Sequence, residues 1–268
     1  MKNHLKFIFA FSSLFFLFFV GVEQIQNTRM VIAEKKNLLA PVNLDEKGTM
    51  SYLNYLEYLS ITEKSVKIAV IGSSVTKGSG ASKQEYQWPN QLIHYLKRLP
   101  GKDFSKLSLH NYGVSRFKAK DLIANRQVDK LIFEKPKLVI FETSVINNFR
   151  QSTPMNDTLF YIEELLRTIQ EGLPDAKILV ISPNPISDKG KNKSGYFYQD
   201  YLEETGQFIV KNGYDYINMY EGINQYLSKE KLSLNNILAD GIHPNDEGYR
   251  IWFEVLRNYL EHMQVIIE

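Results

Sequence analysis

Val66-Lys67-Ile68-Ala69-Val70-Ile71-Gly72-Ser73-Ser74 reads as a buried strand that stops on a glycine and hands over to two hydroxyl residues. A short, aliphatic-rich run bounded by a turn residue has both the length and the composition of a strand. The period then changes. Trp88 leads into Pro89, which suits the first position of a helix, and Leu92, Ile93, Tyr95 and Leu96 supply that helix with an apolar face. From there the two patterns alternate. Leu107 to Tyr112 predicts a second strand and Lys118 to Val128 a helical stretch, while Leu138-Val139-Ile140-Phe141 is wholly apolar, as befits a central strand covered on both faces. Asn156-Asp157 opens a helix carried by Leu159, Ile162, Leu165, Leu166 and Ile169, ending near Gly172-Leu173-Pro174. Lys177 to Ile181, halted by Ser182-Pro183-Asn184-Pro185, is the fourth strand. A helix from roughly Gly195 to Lys211, a short strand around Tyr214 to Ile217 and a terminal helix from Glu247 to about Glu261 complete the series. Such alternation predicts an α/β domain with a mostly parallel sheet and helices on both faces. Ligands in these folds sit beyond the carboxyl ends of the strands, and three ends stand out here: Gly72-Ser73-Ser74, Asn111-Tyr112-Gly113 and Ser144 to Asn148.

The chain divides into three parts. Residues 1–22 have the make-up of an export segment: Lys2 and Lys6 precede the uncharged run Phe7 to Val22. Its length suits a signal peptide and falls short of a usual membrane span. Gly21 is small enough to precede a cut but Phe19 is bulky, so cleavage and retention as an N-terminal anchor both stay open. In either case the rest of the chain is expected on the outer side, secreted or attached to the cytoplasmic membrane's outer face. Residues 23–64 read as a lead-in with a short helix between Ser51 and Ser60, and residues 65–268 as the working domain.

The 268 residues include no cysteine, which excludes disulfides and thiolate chemistry. The formal charge of +2 falls to 0 once Lys2 and Lys6 are set aside, giving no support to a nucleic-acid partner. Five scattered histidines lack paired ligand spacing, so no metal is expected. No specific protein partner is indicated.

Leu238-Ala239-Asp240-Gly241-Ile242-His243-Pro244-Asn245 is the candidate for chemistry, set against a histidine that merely caps or packs on the last helix. An acid three residues before a histidine, in a turn-rich loop, can hold one imidazole nitrogen and leave the other facing outward. That arrangement lacks only a hydroxyl nucleophile. The segment Gly72-Ser73-Ser74 offers one, although a serine at this place is equally suited to capping a helix. Gly113 alone reads as a turn and Asn147 alone as a loop hydrogen bond; taken together, a glycine backbone N–H, an asparagine amide and the nucleophile's own N–H would make a three-donor oxyanion hole.

In these blocks the chain resembles the SGNH hydrolases, the GDSL-type lipase and esterase superfamily. The family's Gly-Asp-Ser corresponds to Gly72-Ser73-Ser74, its second-block glycine to Gly113, its third-block asparagine to Asn147 and its Asp-x-x-His to Asp240 and His243. All four occur in family order over about 170 residues. The resemblance implies a three-layer α/β/α sandwich of flavodoxin-like form and no cofactor. It assigns Ser74, Asp240 and His243 as the triad, with the Ser74 N–H, Gly113 and Asn147 as oxyanion donors. Three positions depart from the family pattern: Ser73 replaces the usual acid, Val145 a common glycine and Asn148 the usual aspartate.

Exported members of the family often act on short acyl esters of carbohydrates, so the resemblance implies removal of acyl groups, O-acetyl above all, from a glycan or another small ester. A lipase or lysophospholipase-type esterase and a catalytically inactive glycan-binding module are the alternatives. Lys77, Arg116, Lys118 and Arg150 follow the three sheet-end blocks and form a candidate basic rim for an anionic polymer. Tyr86 and Trp88 are candidates for an aromatic sugar platform, with Trp88 equally suited to a core contact.

Overall fold

Val66–Gly72 forms β1 of a five-stranded sheet, paired on one side with β2 (Leu107–Gly113) and on the other with β3 (Leu138–Glu142). Beyond β3 come β4 (Lys177–Ile181) and the short β5 (Asp215–Ile217). The order is β2-β1-β3-β4-β5 and every pair is parallel. Connections leave β1 in one direction to reach β2 and return in the other to reach β3. The crevice therefore opens beyond the carboxyl ends of β1 and β3. The computed structural model describes residues 49–266, of which residues 51–265 form one compact unit. The expected signal or anchor at 1–22, and most of the lead-in, lie outside the described residues. Two three-residue strands, Thr49–Ser51 and Gln264–Ile266, are not part of the main sheet.

Ten helices are used below: α1 (Tyr52–Thr62), α2 (Ser74–Lys77), α3 (Trp88–Arg98), α4 (Ala119–Ala124), α5 (Gln127–Phe133), α6 (Val145–Arg150), α7 (Met155–Gly172), α8 (Tyr198–Lys211), α9 (Met219–Glu230) and α10 (Asp246–His262). Alternate strand residues point to opposite faces. Ala69, Ile71, Val139, Phe141, Ile178 and Val180 share one buried cluster with apolar residues of α4, α5, α7 and α8. Ile68, Val70, Leu138, Ile140 and Leu179 are equally buried with the opposite parity. On that side α10 packs against α1, α3 and α9. The result is the expected three-layer α/β/α sandwich. Among the described residues, no helix is long and apolar enough to cross a membrane.

Three local differences from the sequence reading have physical causes. The stretch from Lys118 to Val128 is two helices, α4 and α5, because Arg126 adopts a left-handed conformation (φ 57°) and the Asn125 side chain bonds back to the Asp121 carbonyl. Helix α8 starts at Tyr198, where Asp200 accepts the Phe197 N–H at 2.7 Å. Helix α9 was not foreseen. Its signature is Met219, Ile223 and Leu227 at intervals of four, all buried, behind an Asn218 side chain that accepts the Glu221 N–H.

Trp88 also needs correcting as a sugar platform. It is fully buried and stacks on Trp252, with ring centroids 6.1 Å apart and an interplanar angle of 26°. Tyr86 is left partly exposed without it. Trp88→Ala should therefore cost about 3–5 kcal/mol of stability, as removal of a buried aromatic does. Urea unfolding of the variant checks this, and a change within about 0.5 kcal/mol of zero, the usual size for a surface substitution, would return Trp88 to the surface.

Candidate active site

The nucleophile block begins where the chain leaves β1. A Cβ on Gly72 would lie 2.5 Å from Thr76 Oγ1 and 2.8 Å from both the carbonyl and Oε2 of Glu142, so only glycine lets the strand pass so close to its neighbour. The two serines that follow divide the work. The Ser73 hydroxyl caps α2 by accepting the Val75 N–H at 3.2 Å and donates to Glu142 Oε2 at 2.6 Å. Ser74, at the first position of α2, is left to point elsewhere.

Its Oγ lies 2.9 Å from Nε2 of His243, a residue 169 positions later in the chain. On the other side of the ring, Nδ1 is 2.7 Å from Asp240 Oδ2. An ionised carboxylate only accepts, so Nδ1 carries the proton and Nε2 is left to accept from the Ser74 hydroxyl. The second Asp240 oxygen accepts the backbone N–H groups of Ile242 (3.0 Å) and His243 (2.8 Å). Partial burial raises the Asp240 pKa, but the His243 N–H, the imidazole and the Ile242 N–H outweigh it and hold the carboxyl below its ordinary value.

Several residues that drew no attention in the sequence hold this loop against the nucleophile. The Asn184 amide donates to the Ile242 carbonyl at 2.8 Å. The Tyr249 hydroxyl, fully buried on α10, lies 2.8 Å from the Ser79 carbonyl and 3.2 Å from that of Val75. Ser82 donates through both its N–H and its hydroxyl to Asp246, at 2.7 and 2.6 Å. Gly80, at φ 96°, passes so close that a Cβ would meet the Pro244 carbonyl at 2.3 Å and His243 Cβ at 2.9 Å.

Beneath Ser74 lies Glu142, at the end of β3 and without exposed surface. Its Oε2 accepts the Ser73 N–H (2.8 Å) and the hydroxyls of Ser73 (2.6 Å) and Thr76 (3.2 Å); its Oε1 accepts the Ser144 N–H at 2.8 Å. Burial pushes the Glu142 carboxyl pKa up, and the bonds from Ser73, Ser144 and Thr76 oppose the rise without cancelling it. A signal for this residue was present: an acid directly following four apolar residues of a central strand is out of place unless it is hydrogen-bonded.

The other sequence candidates are distributed around this centre. Gly113 lies opposite Gly72 in the strand register. Its N–H donates to Asn111 Oδ1 at 2.8 Å, while the Asn111 amide donates to the Thr76 carbonyl at 2.8 Å. Asn147 donates to the Phe117 carbonyl at 2.8 Å, which turns it toward the loop after β2. Asn148 instead donates to Thr158 on α7 at 2.9 Å. Lys77, Arg116 and Arg150 are exposed and Lys118 is half-buried.

A flavodoxin-like parallel sheet bearing a serine–histidine–aspartate hydrogen-bond chain at its carboxyl edge is the arrangement that the SGNH resemblance implies. The chain belongs to the GDSL-like lipase/acylhydrolase family, whose model matches residues 70–251. Solved structures share the fold. A two-domain esterase active on acetylated mannans is 22% identical with a TM-score of 0.62, over 81% of this chain and 54% of that one. The chain therefore spans about half the length of that esterase. A GDSL-like lipase from Parabacteroides merdae is 16% identical with a TM-score of 0.59, over 74% of this chain and 96% of that one. A variant of an acetyl-xylooligosaccharide esterase from Geobacillus Stearmophilus is 18% identical with a TM-score of 0.55, over 73% and 94%. The search of curated proteins gave no match.

The two backbone donors on Glu142 make its carboxylate hard to replace. The Ser73 N–H faces one oxygen and the Ser144 N–H the other, and neither can rotate away. An amide offers a single acceptor atom, so Glu142→Gln sets an NH2 group against one of them in either orientation. The variant should lose about 1–3 kcal/mol of stability, the typical cost of one unsatisfied buried donor. An unchanged urea midpoint would show that the second acceptor is dispensable.

Proposed function

We propose that this protein is an exported esterase that removes short acyl groups, O-acetyl above all, from a carbohydrate through an acyl-enzyme on Ser74. The observation that carries the reading is the unbroken hydrogen-bond chain from Ser74 Oγ through His243 to Asp240, at 2.9 and 2.7 Å. His243 Nε2 takes the Ser74 proton as Oγ attacks the ester carbonyl, and Asp240 stabilises the imidazolium. The Ser74 N–H, the Gly113 N–H and the Asn147 amide receive the tetrahedral oxyanion. The intermediate collapses, its C–O bond to the alcohol breaks, and His243 returns the proton to the leaving oxygen. Water then repeats the sequence on the acyl-serine and releases the acid. Acetylated glycans enter as the substrate class through the fold relatives that act on acetylated mannans and acetyl-xylooligosaccharides. Export rests on the sequence pattern of residues 1–22.

Hydrolysis of a panel of acetylated sugars, with acyl length varied separately, tests the substrate. Ser74→Ala should lower turnover by several orders of magnitude and abolish labelling by a fluorophosphonate probe while the protein stays folded. Near-normal turnover in purified Ser74→Ala protein would remove Ser74 from its role. Asn147→Ala should lower kcat by about 10²–10³ with little change in KM, because the oxyanion forms only on the way through the transition state. Asn148→Ala should leave kcat largely intact; the reverse pattern would move the donor to Asn148.

The basic rim has its own test. If Lys77, Arg116, Lys118 and Arg150 attract an anionic glycan ester, kcat/KM for that substrate should fall as salt rises to physiological strength. A small neutral ester should show little change, since screening weakens attraction between separated charges and leaves acyl transfer alone. Identical salt profiles for both esters would reduce the rim to ordinary solvated surface.

A further inference from the structure

A hollow of about 260 Å3 lies between the loop after β2, the end of α6 and the start of α7. It is smaller than the roughly 300–1,000 Å3 typical of sites for drug-sized ligands, a size for one compact group and not a chain. Its walls mix polar and apolar surface, with Lys118, Lys120, Asn148, Gln151, Asp157 and Tyr161 among them.

Charge and hydrogen bonding narrow the occupant. The Lys118 ammonium meets a neutral partner, Thr153 Oγ1, at 3.3 Å. The Lys120 ammonium lies 5.1 Å from the centre of the Tyr161 ring. Two cations thus share the wall with a single carboxylate, that of Asp157. Asn148 adds a different demand. It is 5% exposed, one hydrogen of its amide goes to Thr158, and its Oδ1 has no donor among the described residues. A buried acceptor of this kind calls for a hydroxyl or N–H donor. The hollow therefore suits a small group that brings both a negative charge and donating hydroxyls.

We propose that this hollow binds one saccharide unit bearing a carboxylate or phosphate group. The anion would sit between Lys118 and Lys120, and Asn148 Oδ1, buried as the structure stands, would accept a sugar hydroxyl once the side chain turns toward the hollow. The proposal rests on the glycan-ester reading above and sharpens it: the glycan is acidic, and it is recognised beside the asparagine block as well as at the scissile ester.

Binding can be measured apart from turnover, in full-length Ser74→Ala protein, by titrating ligands and following backbone amide shifts. Glucuronic acid or glucose 6-phosphate should saturate shifts confined to residues 116–121 and 148–161, and the tighter of the two identifies the anion as carboxylate or phosphate. Glucose and inorganic phosphate should each bind about tenfold or more weakly, since each supplies only half of the recognition. Lys118→Met combined with Lys120→Met should remove the advantage of the anionic sugars over glucose. The proposal is overturned if neither anionic sugar saturates these shifts, or if the double variant binds them as before. Inorganic phosphate binding as tightly as glucose 6-phosphate would also overturn it, by reducing the hollow to a plain anion site. Esterase activity in wild-type protein without such binding sinks this site and spares the enzymatic reading; binding without esterase activity does the reverse.

Discussion

Glu142 is a carboxyl group with no exposed surface, and the segments it bonds are the ones that carry the proposed chemistry. Burial of such a group is costly unless its oxygens are filled with donors. Here Ser73 and Thr76 come from the turn after β1 and Ser144 from the turn after β3. Whether the group is ionised or neutral, each oxygen can still accept its backbone N–H, so the brace survives the upward pKa shift that burial imposes. The energetic demand of one buried acid thereby fixes two strand ends relative to each other. Ser74 follows Ser73 directly and Asn147 follows Ser144 by three residues, so both are placed by the same clamp. Preorganisation of this kind is what keeps a reacting atom within a fraction of an ångström of its partner.

A second set of contacts solves a different problem, bringing His243 to a serine 169 residues away. The sheet alone cannot do this, because the histidine loop is not a strand end. Tyr249 reaches from α10 back to the Ser79 carbonyl, Ser82 bonds Asp246 at the first turn of the same helix, and Asn184 holds the Ile242 carbonyl from the β4 exit. Gly80 removes the side chain that would otherwise keep the two loops apart. Packing of α10 under the sheet and orientation of the imidazole are consequently one structural event. A mutation in the buried face of that helix would be felt at the ring.

The fold was legible because its signal is periodic. Strands β1, β3 and β4 are short apolar runs closed by turn residues, and the helices between them carry stripes of apolar residues. Pairing order was not written in any one segment and was not read from the sequence; the parallel direction followed from the strand–helix alternation, and every strand pair of the main sheet bears it out. The reading failed where a single residue outvoted a pattern, as with the left-handed Arg126 that splits α4 from α5. At the site, local groupings such as Asp240 and His243 were visible, since a short turn sets their geometry. Of the braces, Glu142 left a signal as an acid ending an apolar strand, while Asn184 and Tyr249 left none. Each of those two is an ordinary residue in a loop or a helix face, and only the three-dimensional meeting gives it a role. Trp88 shows the same limit from the other side, for nothing local separates an aromatic that stacks on a sugar from one that stacks on Trp252.

Two of the three donors assigned to the oxyanion, those of Gly113 and Asn147, already have partners in this structure, and that bears on how the proposed mechanism would discriminate between states. Asn147 uses one amide hydrogen on the Phe117 carbonyl and has a second to offer. Gly113 has only one, and it rests on Asn111 Oδ1 at 2.8 Å. A substrate carbonyl is neutral, as the Asn111 amide oxygen is, so it gains nothing decisive by competing for that hydrogen. An oxyanion is a charged acceptor, and hydrogen bonds to charged groups are about twice as strong as neutral ones. The Gly113 N–H would then turn from Asn111 to the reacting oxygen only as negative charge develops. An interaction absent with the bound ester and present at the transition state raises kcat without tightening ground-state binding. On this mechanism Asn111 is more than a strand-end residue: it holds a donor in reserve, tied through its own amide to the Thr76 carbonyl of the nucleophile helix.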